Sequence, residues 1–393
     1  MASILRHKNA ASIRLAKDHL DGGNSGLSHP DAKYLRIDLM LAPRGVRQNW
    51  RVHAAIHSDS PRVSIVMPVF NAEPWLHETL ASIFGQTMPD FELIAIDDGS
   101  SDGSYEILQS AATGDYRIHL LRSPEKGIVA ALNCGVSLAR GRYIARMDAD
   151  DIMPPERLEL QADFLERHAD VAVVTGRVEY LGDAEKNAGY ARYVDWLNIL
   201  QSSSDFVCRQ FIESPVAHPS VMVRREVMLA NPYRHGDFPE DYDLWLRLLA
   251  QGLRFGSVPA PVLQWRDHGA RASRTDSRYD IEKFYTHKAS YLAAWLGARG
   301  HTSVAVWSGG RRTRRRIDAL RAQGIRIEKF IDVHPRRVGQ VIQGVRVVSP
   351  DELFSGPKEF VVVYVSSRGA REVISRSLVE NGYTEGVNFI CAS

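Results

Sequence analysis

Cysteine is scarce in this chain. Its 393 residues hold three, Cys134, Cys208 and Cys391, odd in number and scattered without metal-ligand spacing. That excludes a disulfide framework and points to a reducing compartment. Long apolar runs are missing as well. The first 20 residues are broken by Arg6, His7, Lys8, Arg14, Lys17, Asp18 and His19, so they lack the apolar region of a secretory signal. No stretch approaches the ~20 apolar residues a membrane span needs. The expectation is a cytoplasmic protein, with peripheral attachment at the inner face of the cell membrane left open. An excess of charge is also absent: 49 Lys and Arg against 47 Asp and Glu leave a formal +2, which gives no general case for nucleic acid as a partner. One local exception is the run Arg311, Arg312, Arg314, Arg315 and Arg316, a grip for an anionic ligand or lipid, or simply a solvated helix face.

What is present is an ordinary globular balance, 44% hydrophobic and 24% charged, in a chain long enough for two domains. Residues 1–60 show no clear period and are punctuated by Gly22, Gly23, Gly26 and Pro30. Within them 32–42 reads as a short strand or helix, and the whole is taken as an N-terminal extension. From residue 63 strand and helix signals alternate. Strands are expected at 63–69, 91–96, 117–121, 143–147 and 171–175. Helices are expected at 73–86, 103–111, 129–139 and 155–168. This βαβα rhythm predicts a mainly parallel sheet covered by helices. The stretch 178–236 has mixed signals. Helices at 241–251 and 285–296 follow, then a second α/β unit with strands at 304–307, 327–331 and 360–365 and helices at 313–323 and 370–381.

In an open parallel sheet, ligands sit beyond the carboxyl ends of the strands, near the reversal of strand order. Three polar clusters fall at such ends: Pro68-Val69-Phe70-Asn71, Asp97-Asp98-Gly99-Ser100-Ser101-Asp102, and Asp148-Ala149-Asp150-Asp151. A carboxylate at Asp97 or Asp98 can accept from a nucleobase N–H, and helix capping is its plainer alternative. Asp148 and Asp150 lie two apart and share a face of an extended segment. Two hard oxygen ligands there suit Mg²⁺ or Mn²⁺, although a solvated acidic turn would read the same way. Glu240 and Asp241 open a helix after Pro239, where the positive helix end should hold Asp241 ionised as a proton acceptor. Ordinary first-turn residues look no different. Arg266 could hold a diphosphate with two nitrogens, and His268 could ligate a metal or donate to phosphate. His218, in Ala217-His218-Pro219-Ser220, is a further diphosphate or acceptor candidate, unless it only positions a loop.

Together these motifs resemble the family 2 glycosyltransferases with the GT-A fold, over Val63 to about Ser273. Ser64-Ile65-Val66-Met67-Pro68-Val69-Phe70-Asn71 resembles the family's first strand, and Asp97 to Ser104 its nucleotide-binding turn. Lys126-Gly127, Ala131-Leu132-Asn133 and Ala139 to Ile144 resemble the stretch before the metal motif. Asp148-Ala149-Asp150 is similar to the Asp-x-Asp signature, Glu240-Asp241-Tyr242-Asp243-Leu244-Trp245 to the acidic-pair helix, and Arg266-x-His268 to the closing motif. The resemblance implies a GT-A nucleotide-diphospho-sugar transferase fold at 61–297. It implies an inverting transfer from a nucleotide-diphosphate sugar, UDP-linked, to a glycan, lipid-linked or other hydroxyl acceptor in polysaccharide or glycoconjugate synthesis. Pro68, Phe70, Asn71, Asp97, Asp98, Lys126 and Asp148 would then bind the nucleotide. Asp150 and His268 would hold Mn²⁺ or Mg²⁺, and Asp241 with Glu240 would be catalytic. Two positions depart from the pattern: Arg271 replaces a small hydroxyl residue, and Asn231-Pro232-Tyr233-Arg234 lacks the usual glycine pair.

Residues 298–393 read as a smaller Rossmann-like α/β domain. A dinucleotide fingerprint would need glycine at Ser308 and Thr313, so its phosphate-cradling turn is degraded. A structural or regulatory module fits better than a working cofactor site. Two rival readings follow: an inactive GT-A-like scaffold acting through this domain, and a nucleotide-dependent oxidoreductase centred on it.

Overall fold

The computed structural model describes residues 60–308, 310–365, 367 and 369–393, without the side chains of 311–315. The element expected at 32–42 and most of the arginine run's side chains lie outside the described residues. Seven strands form the first sheet: β1 (Val63–Val69), β2 (Phe91–Asp97), β3 (Ile118–Arg122), β4 (Tyr143–Arg146), β5 (Val171–Leu181), β6 (Met222–Arg224) and β7 (Arg254–Arg266). Their order is β3-β2-β1-β4-β6-β5-β7. β1 pairs in parallel with both β2 and β4. The chain therefore runs outward from β1 through β2 and β3 and returns to its other side at β4. That reversal opens a crevice beyond the ends of β1 and β4. Only the short β6 is antiparallel to its neighbours.

The expected strands and helices of 63–175 are all present, with ends displaced by a few residues. β1, β2 and β4 are buried along nearly their whole length, which is why they read as unbroken apolar runs. Helices cover both faces and split the core into two clusters, one around Ile65, Met67 and Leu76 and the other around Val66, Ile96 and Trp245. Close approach at one corner requires glycine. A Cβ on Gly141 would lie 2.5 Å from the Ser64 nitrogen, and the Gly141 N–H donates to Ser64 Oγ at 2.8 Å.

Six further strands make a second sheet: β8 (Ser303–Ser308), β9 (Arg326–Ile331), β10 (Val341–Ile342), β11 (Val345–Val348), β12 (Val361–Tyr364) and β13 (Phe389–Cys391). The order is β10-β11-β9-β8-β12-β13, parallel apart from the β10–β11 hairpin. Helix Ile281–Gly297 packs against helix Glu240–Ala250 on one side and Arg311–Ala322 on the other. On it the buried Lys288 donates to the carbonyls of Phe211 and Ile212, at 2.7 and 3.3 Å. Burial pulls that amine down to about 7. All three cysteines are free thiols. Among the described residues no helix is long and apolar enough to cross a membrane.

Candidate active site

A cavity of about 760 Å³ opens beyond the ends of β1, β2 and β4. Pro68, Phe70 and Asn71 line it from β1, Asp98 from the turn after β2, and Asp148 and Asp150 from the turn after β4. Asp241, Glu240, His218 and His268 complete its wall. The three clusters read from the sequence therefore share one pocket.

The side formed by β1 and β2 is held by backbone. Asn71 has φ 51°, a left-handed conformation that Asn tolerates. From there its Oδ1 accepts the Ser101 N–H at 2.9 Å, while its own N–H donates to Ser100 Oγ at 3.0 Å. Asp98 accepts the Gly127 N–H on both oxygens, each at 2.9 Å. Burial still raises its pKa. Phe70 leaves 60% of its surface exposed beside these groups, an aromatic face for a planar ring. Asp97 does not join them. It is buried, and its Oδ1 closes the turn by accepting the Ser100 N–H at 3.2 Å. Strand alternation turns adjacent carboxylates to opposite sides. Lys126 is exposed outside the cavity lining, its stem beside Gly99.

Around the acidic turn, oxygens of Asp148, Asp150 and Asp151 all lie within 4.8 Å of one another. An octahedral ion with bonds of about 2.1 Å separates its ligands by roughly 3 to 4 Å, so these hard oxygens fit Mg²⁺ or Mn²⁺ after small adjustment. Among the buried atoms here without hydrogen-bond partners are Asp151 Oδ2, His268 Nδ1 and Ser273 Oγ, as expected where a further group completes the site. His268 Nε2 lies 2.8 Å from Asp150 Oδ2, and its ring stacks on Trp75 at 3.9 Å. Burial alone would raise the Asp150 pKa, but His268 and Arg271 outweigh it and the net direction is down. Asp151 is fully buried. Desolvation and its two acidic neighbours push it up against the pull of Arg271.

Helix Glu240–Ala250 presents the acidic pair. Glu240 accepts the Tyr279 hydroxyl at 2.8 and 2.9 Å, and burial raises its pKa. Asp241 Oδ1 accepts the Tyr242 N–H at 2.7 Å. The expectation that the helix end alone sets the ionisation of Asp241 needs correction. Burial, aided by repulsion from Glu240, lifts it to about 7. A helix terminus contributes only ~0.3–1 kcal/mol, whereas that change corresponds to ~4 kcal/mol. Desolvation wins.

The structure also places the two weaker candidates. Arg266 lies outside the cavity lining; its Nε donates to the Asp150 carbonyl at 2.9 Å and its Nη2 pairs with Glu78. His218 lines the pocket as a buried neutral ring, with Nε2 2.7 Å from the Tyr233 hydroxyl. Desolvation, helped by Arg146, holds its pKa well below the usual range.

Several lining residues were not read from the sequence as site residues, Arg271 having stood out only as a departure from the family pattern. Arg146 pairs with Asp148 from the end of β4 and lies near Asp241. A charged residue inside the apolar run Tyr143-Ile144-Ala145-Arg146-Met147 was its available signal. Arg271 enters the acidic cluster itself. Tyr193, Tyr279 and Glu213 come from segments without motif character.

A family model described as "Glycosyl transferase family 2" matches residues 64–229. EpsE of Bacillus subtilis, named as a glycosyltransferase, is 32% identical over 232 residues, covering 57% of this chain and 80% of its own. A glycosyltransferase of Methanocaldococcus jannaschii is 31% identical over 215 residues, covering 53% and 71%. The chain belongs to glycosyltransferase family 2, and its first sheet with the covering helices is a GT-A fold. Among solved structures, Staphylococcus aureus TarS in complex with UDP-GlcNAc is 15% identical with a TM-score of 0.48, covering 67% of this chain and 71% of its own. The mannosyltransferase PcManGT from Pyrobaculum calidifontis, in complex with GDP-Man and Mn²⁺, is 17% identical with a TM-score of 0.41, covering 61% and 65%.

Proposed function

We propose that this glycosyltransferase moves a sugar from a nucleotide-diphosphate donor, UDP-linked, to an acceptor hydroxyl with inversion, in polysaccharide or glycoconjugate synthesis. The observation that carries the reading is the shared cavity: Asp98, Asp148, Asp150, His268 and Asp241, far apart in sequence, line one crevice at the reversal of strand order. Asp98, Asn71 and Phe70 hold the nucleotide, and Asp150 with Asp148 and His268 would hold Mn²⁺ or Mg²⁺. Such an ion neutralises charge on the departing diphosphate.

Asp241 is the base. One of its oxygens is occupied by the Tyr242 N–H, which leaves the other to accept the acceptor's proton. A carboxylate near pH 7 in proton affinity is matched to that task. As the proton moves to Asp241, the acceptor oxygen bonds to the anomeric carbon and the bond to the diphosphate oxygen breaks on the opposite face. Glu240, tied to Tyr279, fixes the helix entry and tunes Asp241 by its charge. Residues 61–297 form the transferase unit and 298–393 a Rossmann-like module, and the protein works in the cytoplasm. The test is a panel of nucleotide sugars with Mn²⁺, followed by release of nucleoside diphosphate. Release from at least one donor, lost in Asp241→Asn, is expected. A chain that binds no donor in the panel and releases nothing would overturn the reading.

A further inference from the structure

The acidic cluster already contains a cation of its own. Arg271 Nη1 lies 3.0 Å from Asp151 Oδ1 and 3.8 Å from Asp150 Oδ2, and Nη2 lies 3.2 Å from Asp148 Oδ2. Its side chain is 9% exposed, with the guanidinium carbon 4.6 Å from the centre of the Trp265 ring. A small hydroxyl residue at this position, as in the pattern the chain otherwise resembles, would leave the cluster open. Here a divalent ion seeking Asp148 and Asp150 meets a guanidinium on the same carboxylates, and like charges oppose its entry.

The three contacts are not equivalent. Asp151 is fully buried and its Oδ1 also accepts the Arg266 N–H at 2.8 Å, so it is a fixed pivot. Asp148 and Asp150 are partly exposed to the cavity. In the same segment as Arg271, Ser273 Oγ and His268 Nδ1 are buried without hydrogen-bond partners. A guanidinium anchored on Asp151 and the Arg266 carbonyl, paired beyond that with two partly exposed carboxylates and flanked by two idle polar atoms, is suited to a doubly anionic ligand.

We infer that Arg271 makes divalent-ion binding conditional on the nucleotide diphosphate. Without nucleotide, Arg271 occupies Asp148 and Asp150. With it, the guanidinium turns about Asp151 onto a phosphate oxygen and releases the pair to the ion. This deepens the glycosyltransferase reading and rests on it. Ion and nucleotide then bind cooperatively, and the coupling is reciprocal.

The test is a Mn²⁺ titration followed by electron paramagnetic resonance of the free ion, with and without UDP, in the full chain. Wild type should bind Mn²⁺ weakly alone and at least tenfold more tightly with UDP. In Arg271→Ser the ion alone should bind at least tenfold more tightly than in wild type, and the gain from UDP should shrink towards none. Arg271→Lys keeps the charge, but an ammonium cannot bridge two carboxylates as a guanidinium does. It should fall between them, and it carries the same test if the serine variant fails to fold by circular dichroism. A substituted protein that matches wild type in both titrations overturns the inference while leaving the transferase reading intact. Wild type that takes up no Mn²⁺ even with saturating UDP sinks both.

Discussion

Replacing Asp241 by Asn should remove the chemistry and stabilise the protein, by an amount that depends on pH. The carboxyl titrates near 7 in the folded chain against an ordinary 3.8, more than a thousandfold in proton affinity and ~4 kcal/mol in free energy. The group lines an open pocket, where solvent screens part of this, so about half, ~2 kcal/mol, is expected to appear in stability. The sign follows from which state binds the proton more tightly. Because the folded value is raised, the group's favourable contribution is complete below pH 3.8 and is lost as pH climbs through 7. Asn keeps an oxygen for the Tyr242 N–H, so that bond survives. Thermal unfolding of wild type and Asp241→Asn at pH 5 and pH 8 gives the comparison. The variant should be more stable at pH 8 by about 4 °C, with a clearly smaller gap at pH 5, while donor turnover falls at least a thousandfold. A gap that does not change with pH, or a variant less stable than wild type at pH 8, would refute the desolvation argument.

Asp150→Ala should reduce transfer at least a thousandfold with an unchanged circular dichroism spectrum, because its carboxylate touches the site rather than the core. Tyr279→Phe removes the hydroxyl donor from buried Glu240, leaving Arg278 3.7 Å away, and should cost about 1–3 kcal/mol in urea unfolding. Gly141→Ala drives a methyl group against the backbone of β1, which cannot yield as a side chain can. A loss of about 1–3 kcal/mol is expected, with donor affinity in folded protein unaltered.

The legible part of the fold was the part buried on both faces. β1, β2 and β4 announce themselves as apolar runs, and their motifs converge because the reversal at β1 and β4 brings their ends together. β7 was missed although it is the longest strand at 13 residues. Pro259 and Pro261 interrupt its pattern, but at the sheet's edge a missing N–H goes unpunished. β5 was expected to stop at 175, where a bulge at Gly176 and Arg177 breaks the register before it continues. β6, with three residues, is too short to carry a period.

In the site, the carboxylates were legible because turn motifs travel as units. Their protonation was not, since the burial of Asp241 depends on pocket residues such as Tyr193 and Tyr279 from remote segments. The same holds for Arg271. Its spacing from His268 is plain in the sequence, but only the folded chain brings it to Asp148 and Asp151.

Crystals soaked with Mn²⁺ and UDP and examined by anomalous diffraction would test the central claim most directly. One strong manganese peak is expected beside Asp150, with the diphosphate density adjoining it and the base near Asp98. Manganese bound on another surface, or UDP in a different cavity, would contradict the account.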